Sequence, residues 1–173
     1  MSRLIRVSIS LLLLLLSSAV FAEQKIAVIN VEKALNSSAY AKTQFEQLQN
    51  SEAFKTNLET YDKLRKEFEE MQEDARVNSV TWSDQQKQEA RKNLEDKVRE
   101  IDAIGQQLDR QKMIVGRDVQ KVMAPFFQEA IKAIISEQKL DLVLKDSATH
   151  FHQDSLDLTD ELISYVDKLK AAE

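Results

Sequence analysis

The chain has 173 residues, with 24 lysines and arginines against 29 aspartates and glutamates, and a formal net charge of −5 at pH 7. This acidic balance argues against a nucleic-acid partner, because such binding depends on Lys and Arg neutralising phosphates. The absence of cysteine excludes disulfides, cysteine nucleophiles and thiolate metal sites. With only two glycines and one proline, long uninterrupted elements are expected.

Residues 1–22 have the pattern of a secretory signal peptide. Arg3 and Arg6 form a basic start, a run of leucines follows, and the segment ends on small residues up to Ala22. The alternative is an uncleaved membrane anchor, but the apolar run is shorter than the roughly 20 residues that a spanning helix needs. Cleavage after Ala22 would leave 151 residues, enough for one domain, with a net charge of −7.

A short apolar segment, Ile26–Asn30, predicts a strand at the start of the mature chain. A single strand leaves its backbone N–H and C=O groups unpaired, so a partner strand must lie elsewhere in the chain. The next hundred residues are typical of helix. From about Thr43 to Val77, apolar residues recur at heptad spacing and predict one helix, the first arm, about 50 Å long. These residues are Phe54, Tyr61, Phe68 and Ala75, with Leu64 and Met71 between them.

The segment "VNSVTWSDQQ" interrupts this pattern. Ser83 and Gln86 have the spacing of a capping box, which marks the start of a second helix. This second arm is predicted to run to about Gln138, roughly 80 Å, and to pair with the first arm as an antiparallel hairpin with its tip near Ser79–Trp82. Its apolar repeat consists of Leu94, Val98, Ile101, Leu108, Val115, Val119, Val122 and Phe126.

The last part of the second arm, Val115–Ile135, is apolar over a wide face and should be buried on several sides. Pro125 lies within it and predicts a kink or a local break. Gly105, which lies closer to the hairpin tip, lowers the stability of the helix by about 1 kcal/mol relative to alanine. It would serve either as a flexible point or as a place where the first arm approaches closely, and the sequence leaves both interpretations open.

After the hairpin, Leu140–Leu144 is predicted to be the partner of the Ile26–Asn30 strand. Thr149–His152 is interpreted as a further strand, and Thr159 as the N-cap of a final amphipathic helix. The fold class is therefore α+β, mainly α, with a long antiparallel coiled-coil hairpin on a small β body that oligomerises. The arm is assigned to residues 43–138, and the body to residues 23–42 and 139–173 together with 115–138.

No catalytic, cofactor-binding or metal-binding constellation is evident, and we predict neither a cofactor nor an enzyme activity. His150 and His152 would share one face of a strand, but further metal ligands are lacking, so they are interpreted as polar residues on a half-exposed strand. Trp82 at the tip has two interpretations. It either packs over Val77 and Val80, which is favoured, or contacts a client protein.

Four segments together resemble the Skp/OmpH family of periplasmic chaperones, in order and over nearly the whole mature chain. They are "KIAVINVEKAL", the central hairpin, "IISEQKLDLVL" and "LDLTDELI", and Pro125 before "FFQEAIKAII" is also similar to the family pattern. The resemblance implies a homotrimer in the periplasm of a Gram-negative bacterium. Three helical hairpins would surround a cavity that holds unfolded outer-membrane β-barrel proteins without ATP.

The residues assigned to the trimer body are Val119, Val122, Phe126, Ile134, Leu142 and Leu144, and Trp82 is the candidate client contact. Lipopolysaccharide binding is doubtful, because the first arm has nine acidic and five basic residues between Thr43 and Val77. No membrane span is expected after signal removal. The competing hypothesis is a periplasmic structural or adaptor coiled coil with one fixed partner, and an exported enzyme is the least supported.

Overall fold

A computed structural model describes residues 24–173, so the predicted signal peptide lies outside the described residues. These residues are mainly helical with one two-stranded sheet, which confirms the predicted mainly α class with a small β part; assembly of the body stays a prediction. In chain order the elements are β1 (Ile26–Ile29), α1 (Val31–Ser37), α2 (Ala39–Asn50), α3 (Glu52–Asn78), α4 (Asp84–Gln138), β2 (Leu142–Lys145) and α5 (Thr159–Ala171), with 3-10 turns at Asp146–Ala148 and Asp154–Leu156.

The two strands pair in parallel, with Ile26 opposite Leu142. The predicted pairing is confirmed, although β2 begins two residues later than predicted. Leu140 still closes the preceding helix, since its N–H donates to the Ile135 carbonyl at 3.1 Å. Two further hydrogen bonds join the residues that precede the strands. The Asp141 backbone N–H donates to the Lys25 carbonyl at 2.8 Å, and the Lys25 backbone N–H donates to the Asp141 carboxylate at 2.9 Å.

The second arm is a single helix of 55 residues, as predicted. It starts with the predicted capping box: Ser83 Oγ accepts from the Gln86 N–H, and the Gln86 side chain accepts from the Ser83 N–H at 2.8 Å. The local break considered at Pro125 is absent. The carbonyl that lacks a donor because of this proline belongs to Lys121, an exposed residue, where water can hydrate it.

The first arm is not one helix from Thr43, so that prediction is wrong. Ser51 separates α2 from α3: its hydroxyl donates to the Leu48 carbonyl at 2.7 Å and accepts from the Phe54 N–H at 3.3 Å. Ser38 breaks the chain between α1 and α2 in the same way. A serine side chain can replace backbone partners at a helix end, which heptad spacing does not reveal.

The hydrophobic core lies where the base of α4 meets β1, α1, α2 and α5. Burying a side chain such as Met123 or Leu162 completely contributes about 1.5–3 kcal/mol. Three alanines with no exposed surface leave little space between the helices that they join. The buried core residues are Ile29, Ala34, Ala41, Val119, Met123, Phe127, Ala130, Ile134, Leu162 and Val166.

The segment after β2 differs from its prediction at two places. Thr149–His152 is irregular rather than a strand. Thr159 is the first residue of α5 rather than its N-cap: it is completely buried, and its hydroxyl accepts from the Asn30 N–H at 2.9 Å. The Asp157 carboxylate accepts from the Thr159 N–H instead. Thr159 thus joins the end of β1 to α5, a contact between residues far apart in sequence.

The end of α4 gives a test of backbone strain. Lys139 closes the helix with φ of 54°, the left-handed conformation that disfavours a side chain. Lys139→Gly should raise the free energy of unfolding by about 0.5–1 kcal/mol, measured by urea denaturation. Lys139→Ala retains a Cβ and should show no such gain. Equal stability of the glycine and alanine variants would contradict the argument.

Candidate functional site

The hairpin arms carry several large apolar side chains that remain substantially exposed in the single chain. Each is at least 41% exposed. They are Leu58, Val77, Val80, Val98, Met113 and Ile114. Met113 and Ile114 are consecutive and Val77 and Val80 lie near the tip, and charged residues separate these groups along the arms. The arms therefore offer several small apolar contacts spread over their length.

The two arms pack closely along their seam. Tyr61 lies over Gly105, where an added Cβ would be 3.5 Å from the tyrosine ring, and Phe45 lies near Gly116 in the same manner. Phe54 and Leu108 are both buried. Of the two interpretations of Gly105, the structure supports close approach of the first arm, and α4 continues without interruption through this position.

A cross-arm ion pair supplements the apolar seam. Lys97 Nζ donates to Glu67 at 2.9 Å and to Glu100 at 3.0 Å. The hydrogen bond from Lys97 lowers the pKa of Glu67, and the bonds to Glu67 and Glu100 raise the pKa of Lys97. Lys97 is the more enclosed partner, with 18% of its side chain exposed. This pair links the two arms about midway between their tip and Phe54.

Trp82 at the hairpin tip is half-buried, and its backbone N–H donates to the Ser79 carbonyl at 3.3 Å. Val77 and Val80 remain 56% and 88% exposed. Trp82 therefore does not cover Val80, and the favoured interpretation that it packs over both valines is wrong for that residue. Its role as a client contact stays a prediction.

The residues assigned to the trimer body fall into two groups. Val119 and Ile134 are already buried in the core of one chain. Val122, Phe126 and Leu144 are half-buried, and Leu142 is 46% exposed on β2. The Phe126 ring is covered by the Lys170 ammonium, 5.0 Å from its centroid. Leu142 is thus the assigned residue most available to a second chain.

A groove of about 530 Å³ runs beside the ends of β1 and β2. Sequence reasoning missed it, because its polar residues come from distant segments with no shared motif. Asn30 donates from its side-chain amide to the Asp146 carboxylate at 2.8 Å, and Asp146 also lies 3.1 Å from His152. His150 is exposed, and the segment that contains it is irregular, so the predicted shared strand face of His150 and His152 is not formed.

Residues 24–173 were compared with the requirements of a metal site and of a membrane span. No three side chains of the metal-ligating acidic or histidine type are grouped so that they could hold a metal ion there. None of the helices in this range combines the length and the apolar character that a membrane crossing requires.

Comparison with known proteins gives three findings. The family described as outer membrane protein (OmpH-like) matches residues 25–166. A Skp-like protein of Pseudomonas aeruginosa is 25% identical over 150 residues, which cover 87% of this chain and 88% of the relative. A crystal structure described as an OmpH-like outer membrane chaperone from Caulobacter crescentus shares 15% identity, with a TM-score of 0.49 and coverage of 84% and 85% of the two chains.

The contact at Gly105 predicts a stabilising substitution in the arm. An alanine Cβ would make ordinary van der Waals contact with Tyr61, so Gly105→Ala should raise the free energy of unfolding by about 1 kcal/mol through helix propensity alone. Thermal and urea unfolding would measure it. Ala103→Gly, at an exposed position of the same helix, should cost a similar amount. A loss of stability in Gly105→Ala would mean that the arm needs a glycine there.

Proposed function

Since the chain belongs to the OmpH-like family of outer membrane proteins, we propose that it is an ATP-independent holdase chaperone of the Gram-negative periplasm. In this proposal it binds unfolded outer-membrane β-barrel proteins between its helical arms and prevents their aggregation. The observation that carries it is the set of partly exposed apolar side chains distributed along a charged hairpin. An unfolded chain presents apolar segments in no fixed geometry, and dispersed contacts suit such a partner.

The proposal requires more than one hairpin around the client. Each apolar contact on a single arm is small, so binding by one chain would be weak. Several arms that surround the same client raise the effective concentration of each contact and give avidity without a deep pocket. A periplasmic adaptor would instead be expected to present one contiguous interface to one folded partner, in the manner of specific protein complexes.

We further propose that three copies assemble through the body. Within residues 24–173 the sheet has two strands, and β2 pairs only with β1, so the far edge of β2 has unpaired backbone groups. Two short strands are marginal alone, and a second chain would extend the sheet. Leu142 would lie at this interface. The acidic first arm gives no reason to propose a lipopolysaccharide site.

The holdase proposal is tested by light scattering. Dilution of a urea-unfolded porin should produce less scattering when the chain, expressed without residues 1–22, is present, and added ATP should change nothing. At least two unrelated unfolded barrel proteins should be protected, whereas a folded control protein should not be bound. Protection of none of them would refute the holdase, and selective binding of one folded protein would support the adaptor.

Shortening the hairpin should weaken client protection but leave the body intact. Deletion of residues 64–77 together with 87–100 removes two heptads from each arm and retains the contact between Tyr61 and Gly105. The expected result is unchanged assembly in sedimentation and weaker protection of large porins.

The control Trp82→Ala changes only the tip, and client affinity should then fall by less than about 1 kcal/mol, below the range of a hot spot. Abolished binding in that control would make the tip a specific recognition site.

Assembly through the body is tested by Leu142→Asp. This side chain is exposed in the single chain, so the variant should fold, but a charge against an apolar interface without a partner is costly. Analytical ultracentrifugation should give the mass of three chains for the parent and of one chain for the variant. The control Val80→Asp places the same charge at the tip and should leave the assembly unchanged. A stable trimer of Leu142→Asp would contradict the placement of the interface.

A further inference from the structure

The irregular segment between β2 and α5 is attached to the body mainly at its ends, and its 3-10 turn at Asp154–Leu156 lies against β1. Residues 149–156 include a 3-10 turn, and the Phe151 side chain within them is 83% exposed. At one end, Thr149 bonds to the Asp146 carbonyl, and at the other, Leu158 N–H donates to Val28. Between these ends, the side-chain hydrogen bond described to the rest of the body comes from His152 to Asp146.

Both ring nitrogens of His152 face oxygen acceptors. Nε2 lies 3.1 Å from Asp146 Oδ1, and Nδ1 lies 3.3 Å from the Gln153 carbonyl. A neutral imidazole has one N–H donor and one lone pair, so it can satisfy one of these acceptors and directs its lone pair at the other. The imidazolium has two N–H donors and satisfies both. The arrangement is complementary to the protonated ring alone.

Asp146 transmits this contact to the core of the body. Its second carboxylate oxygen accepts from the Asn30 side-chain amide at 2.8 Å. Asn30 is in turn the N-cap of α1, with its side-chain oxygen accepting from the Lys33 N–H at 2.8 Å, and its backbone N–H donates to Thr159. These hydrogen bonds therefore link the segment to the start of α1 and to the start of α5.

The charges around His152 favour its protonated form. Asp146 and Asp157 are the acidic groups that act on it, and Lys33 is among the groups that help to lower the pKa of Asp157. The hydrogen bond to Asp146 is the largest influence, and together with the Gln153 carbonyl it raises the pKa of His152 above the ordinary 6.5. His152 is enclosed, with 19% of its side chain exposed.

We propose that residues 149–156 form a pH-responsive latch, held tightly on the body when His152 carries a proton and loosened when the proton is lost, because the neutral ring keeps one N–H donor but loses its charge and its second donor. Because the charged ring is favoured in the folded state, its stabilising effect is fully present at low pH and disappears as the pH rises through the folded-state pKa. Loosening increases the mobility of the middle of the segment while its two ends stay attached. The exposed Phe151 moves with it, so the presentation of this apolar side chain depends on pH.

Spin labelling gives a direct test, because the chain has no cysteine and only two histidines. His150→Cys introduces one labelling site within the segment and leaves His152 as the sole histidine. The nitroxide spectrum of the full mature chain is recorded from about pH 5 to about pH 8.5, across the range in which histidine titrates. Mobility should be low in acid and rise with pH, with a midpoint above 6.5.

Three comparisons make the result decisive. Adding His152→Asn should remove the transition and leave the label mobile at every pH, and adding Asp146→Asn should lower the midpoint. A label at Arg110→Cys, on an exposed part of α4, should show no such transition. Circular dichroism checks that each variant keeps its helices. A mobility that does not change with pH in the parent, or a transition that survives His152→Asn, would overturn the latch.

Discussion

The parallel pairing of β1 with β2 is the constraint on which the rest of the structure depends. Antiparallel neighbours can be joined by a tight turn, but parallel strands require the chain to return to the end at which the first strand began. Here the connection consists of the whole helical hairpin, and Lys25 meets Asp141 across an interval of 116 residues. The final helix of the hairpin must therefore pass the body before it delivers the chain to β2.

This return explains why the two arms differ in length. The helix α3 has 27 residues and α4 has 55. The outer part of α4 packs against α3 and needs only a narrow apolar seam. Its inner part lies beside the sheet, α1, α2 and α5, and so it is apolar on several sides, with Met123 and Ala130 wholly buried. One continuous helix thus packs against one neighbour in its outer part and against several in its inner part. The body begins where the apolar face of α4 becomes wider.

The division of the molecule into body and arms also separates its two physical tasks. The body buries its apolar side chains and satisfies its polar ones; among the described residues no buried side-chain nitrogen or oxygen lacks a partner. The arms are held together by one seam and by the Lys97–Glu67 pair, and the exposed ion pairs within each helix contribute only about 0.3–0.5 kcal/mol each. The arms also leave apolar side chains such as Val80 and Met113 largely exposed to water.

The hairpin was largely predictable from sequence, because helix periodicity and capping are local properties. Heptad spacing identified the seam of Phe54, Tyr61 and Phe68, and the motif at Ser83 identified the start of α4. The break at Ser51 was missed, since a serine within a heptad pattern can either face solvent or cap a new helix, and only packing of the arm decides between them. The pairing of the two apolar strand segments followed from the need of each for a partner.

Contacts between distant segments were decided only by the tertiary structure. Thr159 is a residue type that favours the N-cap position, yet its hydroxyl accepts a hydrogen bond from the backbone N–H of Asn30, 129 residues earlier. Likewise, His152 appeared to be an unremarkable polar residue until the fold placed Asp146 and Asn30 beside it. The physical reason is the same in both cases. A local pattern specifies which conformations a segment favours, whereas hydrogen-bond partners and burial depend on which segments the completed core brings together.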